Sequence, residues 1–432
     1  MDRKKPHIYE FHLHLYGCFT AQDLYEQGQL LGEFPRWEWF ASEYEAAWGK
    51  FPTWYWDKKN GLEILTSEVT LTQPASFAQF QSAFNLSIAL FPAVPEDQTP
   101  ARIALERIRA QGVYYAELRM VIPFYFSHAQ AQIFLRTLAG AFSSACTENF
   151  QPRLVISLPQ GPPSALEQQY SWVREAMAQD STVAAMLVAL DFCGDEEPHP
   201  PLEKQDFFQR AHADNLKSGQ PLRFYYHVGE CFSKIGMQNA IRRIWQTHRL
   251  GVDRLSHASA LAIPPASYLG HSIQETVQER LSHIEFLLES ADWLRESGCV
   301  YSLDELRKEQ ETLGEKDPAE ILARVISAHE VEQTHALQQA VVARLRAEEA
   351  VIESCPSSNW ILSGISRLED HPLPALLRSG LCVVMSSDDP GIFQTDYEKE
   401  EAFCREKLGM SEEELQRLRE NGDFIFHVIT NG

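Results

Sequence analysis

The chain has 432 residues, of which 44% are hydrophobic and 23% charged, with a formal net charge of -22. That composition supplies a large buried core and excludes a disordered or fibrous chain. The acidic excess repels polyanions, which excludes non-specific binding to a nucleic-acid polymer and makes anionic membrane surfaces poor partners.

Eight short segments rich in Val, Ile, Tyr, Phe and Leu predict buried strands. In chain order they run Pro6–Tyr16, Val113–Val121, Arg153–Leu158, Ala185–Gly194, Pro221–Glu230, Asp253–Ser259, Ala350–Pro356 and Cys382–Pro390. Helical patterns separate them, such as ALERIRAQ before the second, AQIFLRTLAGAFSSA before the third and ALLRSG before the eighth. Strand alternating with helix argues for a parallel sheet, and eight such units argue for a closed (β/α)8 barrel of the TIM type. The whole chain, 1–432, is therefore expected to be one α/β barrel domain.

Two connections exceed what a minimal barrel needs. The first, with an insertion at about 18–75, carries the aromatic stretch PRWEWFASEYEAAWGKFPTWYWD from Pro35 to Asp57. The second, with an insertion at about 263–333, reads as mostly helical; SIQETVQERLSHIEFLLESADWL has apolar residues at helical spacing. Insertions at a barrel mouth often form lids or contact surfaces. The second is expected to cover the mouth or to join subunits in a homo-oligomer. The eight cysteines form no CxxC pair, as expected of reduced thiols in a cytoplasmic protein. No run of 18 apolar residues marks a membrane span, and no signal peptide is expected.

The polar residues of interest fall at the ends of the strand segments, where barrels of this kind build their active sites. His12 and His14 form an H-x-H pair whose side chains share one side of the first strand. Alone, such a pair is more often two interior histidines than a metal site. His227 ends the fifth strand with Glu230 three residues on, and His257 ends the sixth. Asp388 and Asp389 end the eighth, where adjacent carboxylates repel unless a cation or donor is near. HEVEQTH (His329–His335) spaces its histidines six apart rather than four, so it is not a metalloprotease helix.

With those residues in place, the chain resembles the adenosine deaminase family of the amidohydrolase superfamily. HLHLYG resembles the family's H-x-H-x-D-G, YYHVGE its H-A-G-E, RLSHAS its R-(I/V)-G-H-G and ESCPSSN its E-x-C-P-x-S-N. HPLPALLRSGLCVVMSSDDP resembles the stretch ending in (S/T)-D-D-P, and YYAELRM and ALDFCGDE resemble two further family strands. The resemblance implies one zinc ion per subunit, held by His12, His14, His227 and Asp388, with a water completing the site. That water would add to C6 of an adenine ring while Glu230 protonates N1. His257 would orient the attacking oxygen, and Asp388 would help take its proton. Gly194 would meet N3 through its backbone N–H, Asp389 would meet N7, and His14 also faces the substrate. The product would be a hypoxanthine compound plus ammonia.

One position departs from the pattern. Tyr16 stands where the family carries the aspartate that meets the ribose 5′-hydroxyl. A phenol there could donate to a 5′-phosphate that a carboxylate would repel. The implied substrate is therefore adenosine or deoxyadenosine, or the corresponding 5′-monophosphate AMP or dAMP. The competing readings are another hydrolase of the same superfamily and a non-catalytic barrel acting as an assembly module.

Overall fold

The computed structural model describes residues 7–32, 36–161 and 163–431; Pro6 and Pro35, which open two of the expected segments, lie outside them. Ten strands run β1 (Ile8–His14), β2 (Val113–Val121), β3 (Gln151–Pro159), β4 (Leu187–Cys193), β5 (Arg223–Val228), β6 (Arg254–His257), β7 (Ser272–Thr276), β8 (Ile321–Val325), β9 (Val351–Ser354) and β10 (Cys382–Met385). Eight of them form one sheet in the order β1-β2-β3-β4-β5-β6-β9-β10, with every pairing parallel. The ring closes just past β10. Leu13 pairs with Asp388, the His14 N–H donates to the Asp388 carbonyl at 2.9 Å, and the Asp388 N–H donates to the His12 carbonyl at 3.0 Å. The result is a (β/α)8 barrel, and all eight expected strand segments lie in it.

The barrel strands are near-continuous apolar runs because both faces are covered, the outer by helices and the inner by the barrel's own side chains. The interior is not purely apolar. Arg119 pairs with Glu353 at 2.5 Å and Asp191 at 3.4 Å, and Arg254 pairs with Glu353 at 2.9 Å and with Glu117. All five side chains are essentially without solvent contact. Buried ions are tolerated when each finds counter-charge and hydrogen bonds, whereas removing one partner strands the other. This layer lies directly beneath the strand ends that carry the candidate site.

The first long connection folds as five helices, the fourth of which is Phe77–Leu90. Ser76 starts that helix with a capping box shared with Gln79. The aromatic stretch is tightly packed: the Trp37 ring lies 5.0 Å from Trp54 and 6.0 Å from Trp56, and Phe40 and Tyr44 are buried. Its helix Trp37–Trp48 packs against Phe77–Leu90, so it backs the helix that walls the cavity described below.

The second long connection is mostly helical, as its pattern predicts, but it also holds the antiparallel pair β7 and β8. Alternation does not announce β7 because its inward positions are Ile273 and Glu275. The carboxylate is buried there by Arg324 at 2.7 Å and by the Asn239 amide at 2.6 Å. The connection packs on the flank of the barrel, against helix Met237–Arg249, where Arg242 and Arg243 reach Glu279 at 2.6 and 2.8 Å. Among the described residues, no helix is long and apolar enough to cross a membrane, and all eight cysteines are unpaired thiols.

Candidate metal and catalytic centre

Three strands, β1, β5 and β10, bring His12, His14, His227 and Asp388 together. His12 Nε2 lies 3.3 Å and His14 Nε2 3.4 Å from Asp388 Oδ1, and the Nε2 atoms of His14 and His227 are 3.2 Å apart. Which ring nitrogen carries hydrogen follows from the groups behind. His12 Nδ1 donates to Glu353 at 2.9 Å and His227 Nδ1 donates to Asp191 at 3.1 Å. Both rings therefore turn an unshared Nε2 pair toward the centre. His12 Nε2 is buried without a hydrogen-bond partner. Unshared pairs and a carboxylate facing each other at this range repel unless a cation sits among them.

The protonation states of His14 and Asp388 suit a metal. Burial holds His14 well below the usual imidazole range, leaving it neutral at pH 7. Burial alone would raise the Asp388 carboxyl, but His12, His257 and His14 together bring it well below its usual value. Ligands must be deprotonated to bind, and three imidazoles with one carboxylate are donors that zinc favours. The residues present thus fit a zinc ion, with ligand atoms from His12, His14 and Asp388 all within 4.8 Å of one another.

Two of these strand ends are conformationally strained. His257 and Asp388 have φ of 65° and 61°, in the left-handed region that costs non-glycine residues about 1–2 kcal/mol each. At His257 the turn aims the ring back over the centre, 5.0 Å from His12. The Cys355 N–H donates to Asn359 Oδ1 at 3.2 Å, which fixes that amide so that Nδ2 donates to His257 Nδ1 at 3.0 Å. His257 then carries its proton on Nε2, facing Glu230 Oε1 at 3.6 Å. Burial keeps the ring well below its usual pKa and hence neutral.

Glu230 follows β5 in a tight loop. The Glu196 carboxylate accepts the backbone N–H groups of Gly229, Glu230 and Cys231 at 2.7, 2.7 and 2.8 Å. Burial, then Asp388 and Glu196, push the Glu230 carboxyl well above its usual range, which favours its neutral acid form. Asp389 is raised in the same way, first by burial and then by Asp388, and neither of its oxygens has a hydrogen-bond partner. A Cβ at Gly17 would lie 1.7 Å from Asp389 Oδ1, so only glycine leaves room for that carboxyl. Gly194 has φ of 114°, a conformation reserved for glycine.

These groups floor a cavity of about 260 Å³. His14, Gly194, His227, Glu230, His257, Asp388 and Asp389 all line it, whereas His12 lies deeper and Tyr16 does not reach it. Tyr16 is instead buried behind the Phe84 ring, with its hydroxyl unpartnered. The opposite wall is mostly apolar, built from Phe77, Phe80, Phe84 and Ile88, with Gln81, on one helix and from Val121 at the end of β2 and Ile122, Pro123 and Phe124 after it. No residue of 263–333 lines the cavity, and among the described residues no Lys or Arg does. Sequence reasoning singled out the ligands and the acids but not their supports. Asp191, Glu196, Glu353 and Asn359 all lie inside the quoted motifs, and the buried carboxylates Glu353 behind His12 and Asp191 behind His227 were the available signal.

Comparison with known proteins agrees with this geometry. The sequence profile of the adenosine deaminase family matches residues 59–262 and 319–423. An adenosine deaminase of Shewanella loihica is 35% identical over 78 residues, 18% of this chain and 24% of that protein. The alignments to such curated relatives span about a quarter of their length. Among solved structures, an amidohydrolase with bound Zn superposes with a TM-score of 0.58 at 15% identity, covering 96% of this chain and 84% of the other. The N6-mAMP deaminase of Arabidopsis superposes at 0.57 and 15% identity, covering 99% and 98%.

Proposed function

The chain belongs to the adenosine deaminase family, and on that premise we propose that it is a zinc-dependent hydrolytic deaminase of a 6-aminopurine nucleoside, releasing ammonia and the hypoxanthine product. The observation that carries this reading is the meeting of His12, His14, His227 and Asp388 beneath a cavity into which the neutral acid Glu230 points. Zinc held by those four residues would supply a water acidic enough to act as a nucleophile near neutral pH.

The remaining roles belong to the protein's own groups. Glu230, whose neutral form burial favours, donates to ring N1, which draws electrons from C6 and makes it electrophilic. His257 presents its Nε2–H, so it holds the attacking oxygen as a donor rather than removing its proton. Asp388, ionised, is the base at hand. Asp389, neutral and otherwise unpartnered, donates to N7, and the Gly194 N–H meets N3. Two donors flanking a ring that accepts at both sites hold a purine in one orientation. The apolar wall excludes water from the same space.

The absence of Lys or Arg from the cavity lining, among the described residues, favours a nucleoside over a 5′-monophosphate. Metal analysis combined with the ultraviolet change from adenine to hypoxanthine tests the reading. Bound zinc with turnover of a 6-aminopurine is the expected result. Zinc without turnover of any 6-aminopurine would point to another hydrolase of the superfamily, and a protein that binds no zinc would point to an assembly module.

A further inference from the structure

We infer, resting on the deaminase reading above, that the preferred substrate carries an apolar group at its 5′ carbon: a 6-aminopurine nucleoside with hydrogen or an alkylthio group there in place of hydroxyl or phosphate. The resemblance places position 16 beside the 5′ oxygen. In this chain Tyr16 is 1% exposed, its hydroxyl has no partner, and it does not line the cavity. Phe84 stands in front of it. The Phe84 ring lies edge-on to Tyr16 at 6.1 Å and to the ligand His14 at 5.9 Å, and it does line the cavity.

The surface beyond continues in kind. Phe80 lies 6.0 Å from Phe84 and stacks on Phe393 at 5.6 Å, and Phe77 lies 5.8 Å from Phe80. Among the described residues, no Lys or Arg lines the cavity to meet a phosphate. Arg36, which faces the buried Tyr16, donates to the carbonyls of Ala89 at 2.8 Å and Pro92 at 3.3 Å and lies over the Tyr125 ring at 4.3 Å. It is not among the lining residues. A 5′-hydroxyl set against these rings loses its water and a phosphate loses far more; the polar side chains Gln81, Ser157 and Gln169 also line the cavity but are uncharged, and Gln81 Nε2 already donates to Asn85 Oδ1 at 2.8 Å. A methyl or thioether group loses nothing and packs favourably, sulfur against ring edges in particular. Gln169, whose Oε1 lacks a protein partner, remains an uncharged acceptor for a sugar hydroxyl.

Steady-state kinetics on 5′-deoxy-5′-methylthioadenosine, 5′-deoxyadenosine, adenosine, AMP and free adenine test this. The two 5′-apolar nucleosides are expected to exceed adenosine in kcat/KM by about ten-fold, and AMP to fall on the order of 100-fold below adenosine. Adenosine, AMP or adenine matching the 5′-apolar compounds would overturn the inference while leaving the deaminase reading intact. Calorimetric affinities of the Glu230→Gln variant for the same compounds report binding without turnover. The same ranking there supports the 5′ preference even if no compound is deaminated, a result that would sink only the deaminase reading; the reverse ranking overturns the preference.

Discussion

On its barrel side the cavity is floored by His14, His227, His257, Glu230, Asp388 and Asp389, all on or just past strand ends. On its outer side it is walled by one face of helix Phe77–Leu90 and by the segment after β2. Much of the floor, and His12 beneath it, is backed by a second polar group. Glu353 stands behind His12, Asp191 behind His227, Asn359 behind His257 and Glu196 behind the Glu230 loop. The wall has no such scaffold, and its rings are held by one another. In the proposed function the floor would fix which bond is cut, and the wall would set what else the substrate carries. Each can change without the other, because the wall residues are not donors to the metal centre.

The sharpest break of that comparison is on the floor. Glu230→Gln keeps the size and burial of the side chain but cannot deliver a proton to N1. Loss of a positioned general acid costs about 10²–10⁴ in kcat. The expected outcome is that loss on every substrate alike, with zinc content unchanged; full turnover by the variant would remove Glu230 from its role.

A smaller and more selective effect belongs to the wall. Phe84→Gln places an amide where the 5′ group is inferred to rest, so the preference for 5′-apolar nucleosides over adenosine should shrink by roughly ten-fold. Phe84→Leu, which keeps the surface apolar, should preserve the ranking. Zinc content should not move in either variant. If both variants lost zinc, floor and wall would be one unit rather than two.

The floor was legible in the sequence and the wall was not. Strand ends are short and fixed in register, so H-x-H on β1, H-x-x-E after β5 and D-D after β10 could only converge once the strands closed a barrel. The wall helix carries Phe77, Phe80, Phe84 and Ile88 at helical spacing, but most of its last nine residues are buried apolar groups too. With no polar face, the pattern does not say which side meets the cavity. The connection at 263–333 was expected to cover the mouth or to join subunits. It does not line the cavity; Glu275 and Glu279 are spent on Asn239, Arg242 and Arg243, which hold it to helix Met237–Arg249, and Tyr268 stacks on Phe232 at 5.6 Å. Charge pairing between distant segments leaves no periodic trace. Of the residues expected to meet the substrate, His14, Gly194 and Asp389 line the cavity and Tyr16 does not, and only the position of Phe84 shows that it is covered.

A last test separates motif from chemistry altogether. His371 opens the H-P motif, yet it serves neither floor nor wall. Its Nε2–H donates to the Pro356 carbonyl at 3.0 Å and its Nδ1 accepts the Leu373 N–H at 3.2 Å, capping helix Pro372–Arg378. Burial holds the ring at about 4, against 6.5 when unfolded. The folded state thus keeps it neutral down to about pH 4, whereas the unfolded chain protonates it from about pH 6.5. The unfolded state binds the extra proton across that window, so stability falls as pH drops from 6.5 to 4, by at most about 3 kcal/mol. His371→Asn retains an N-cap acceptor and has no titration, so its thermal midpoint should fall less than the parent's over the same pH range, with kcat at pH 7 unaltered. A parallel fall in both proteins would show that His371 does not carry this pH dependence. A loss of kcat at pH 7 would bring the motif histidine back into the chemistry of the floor.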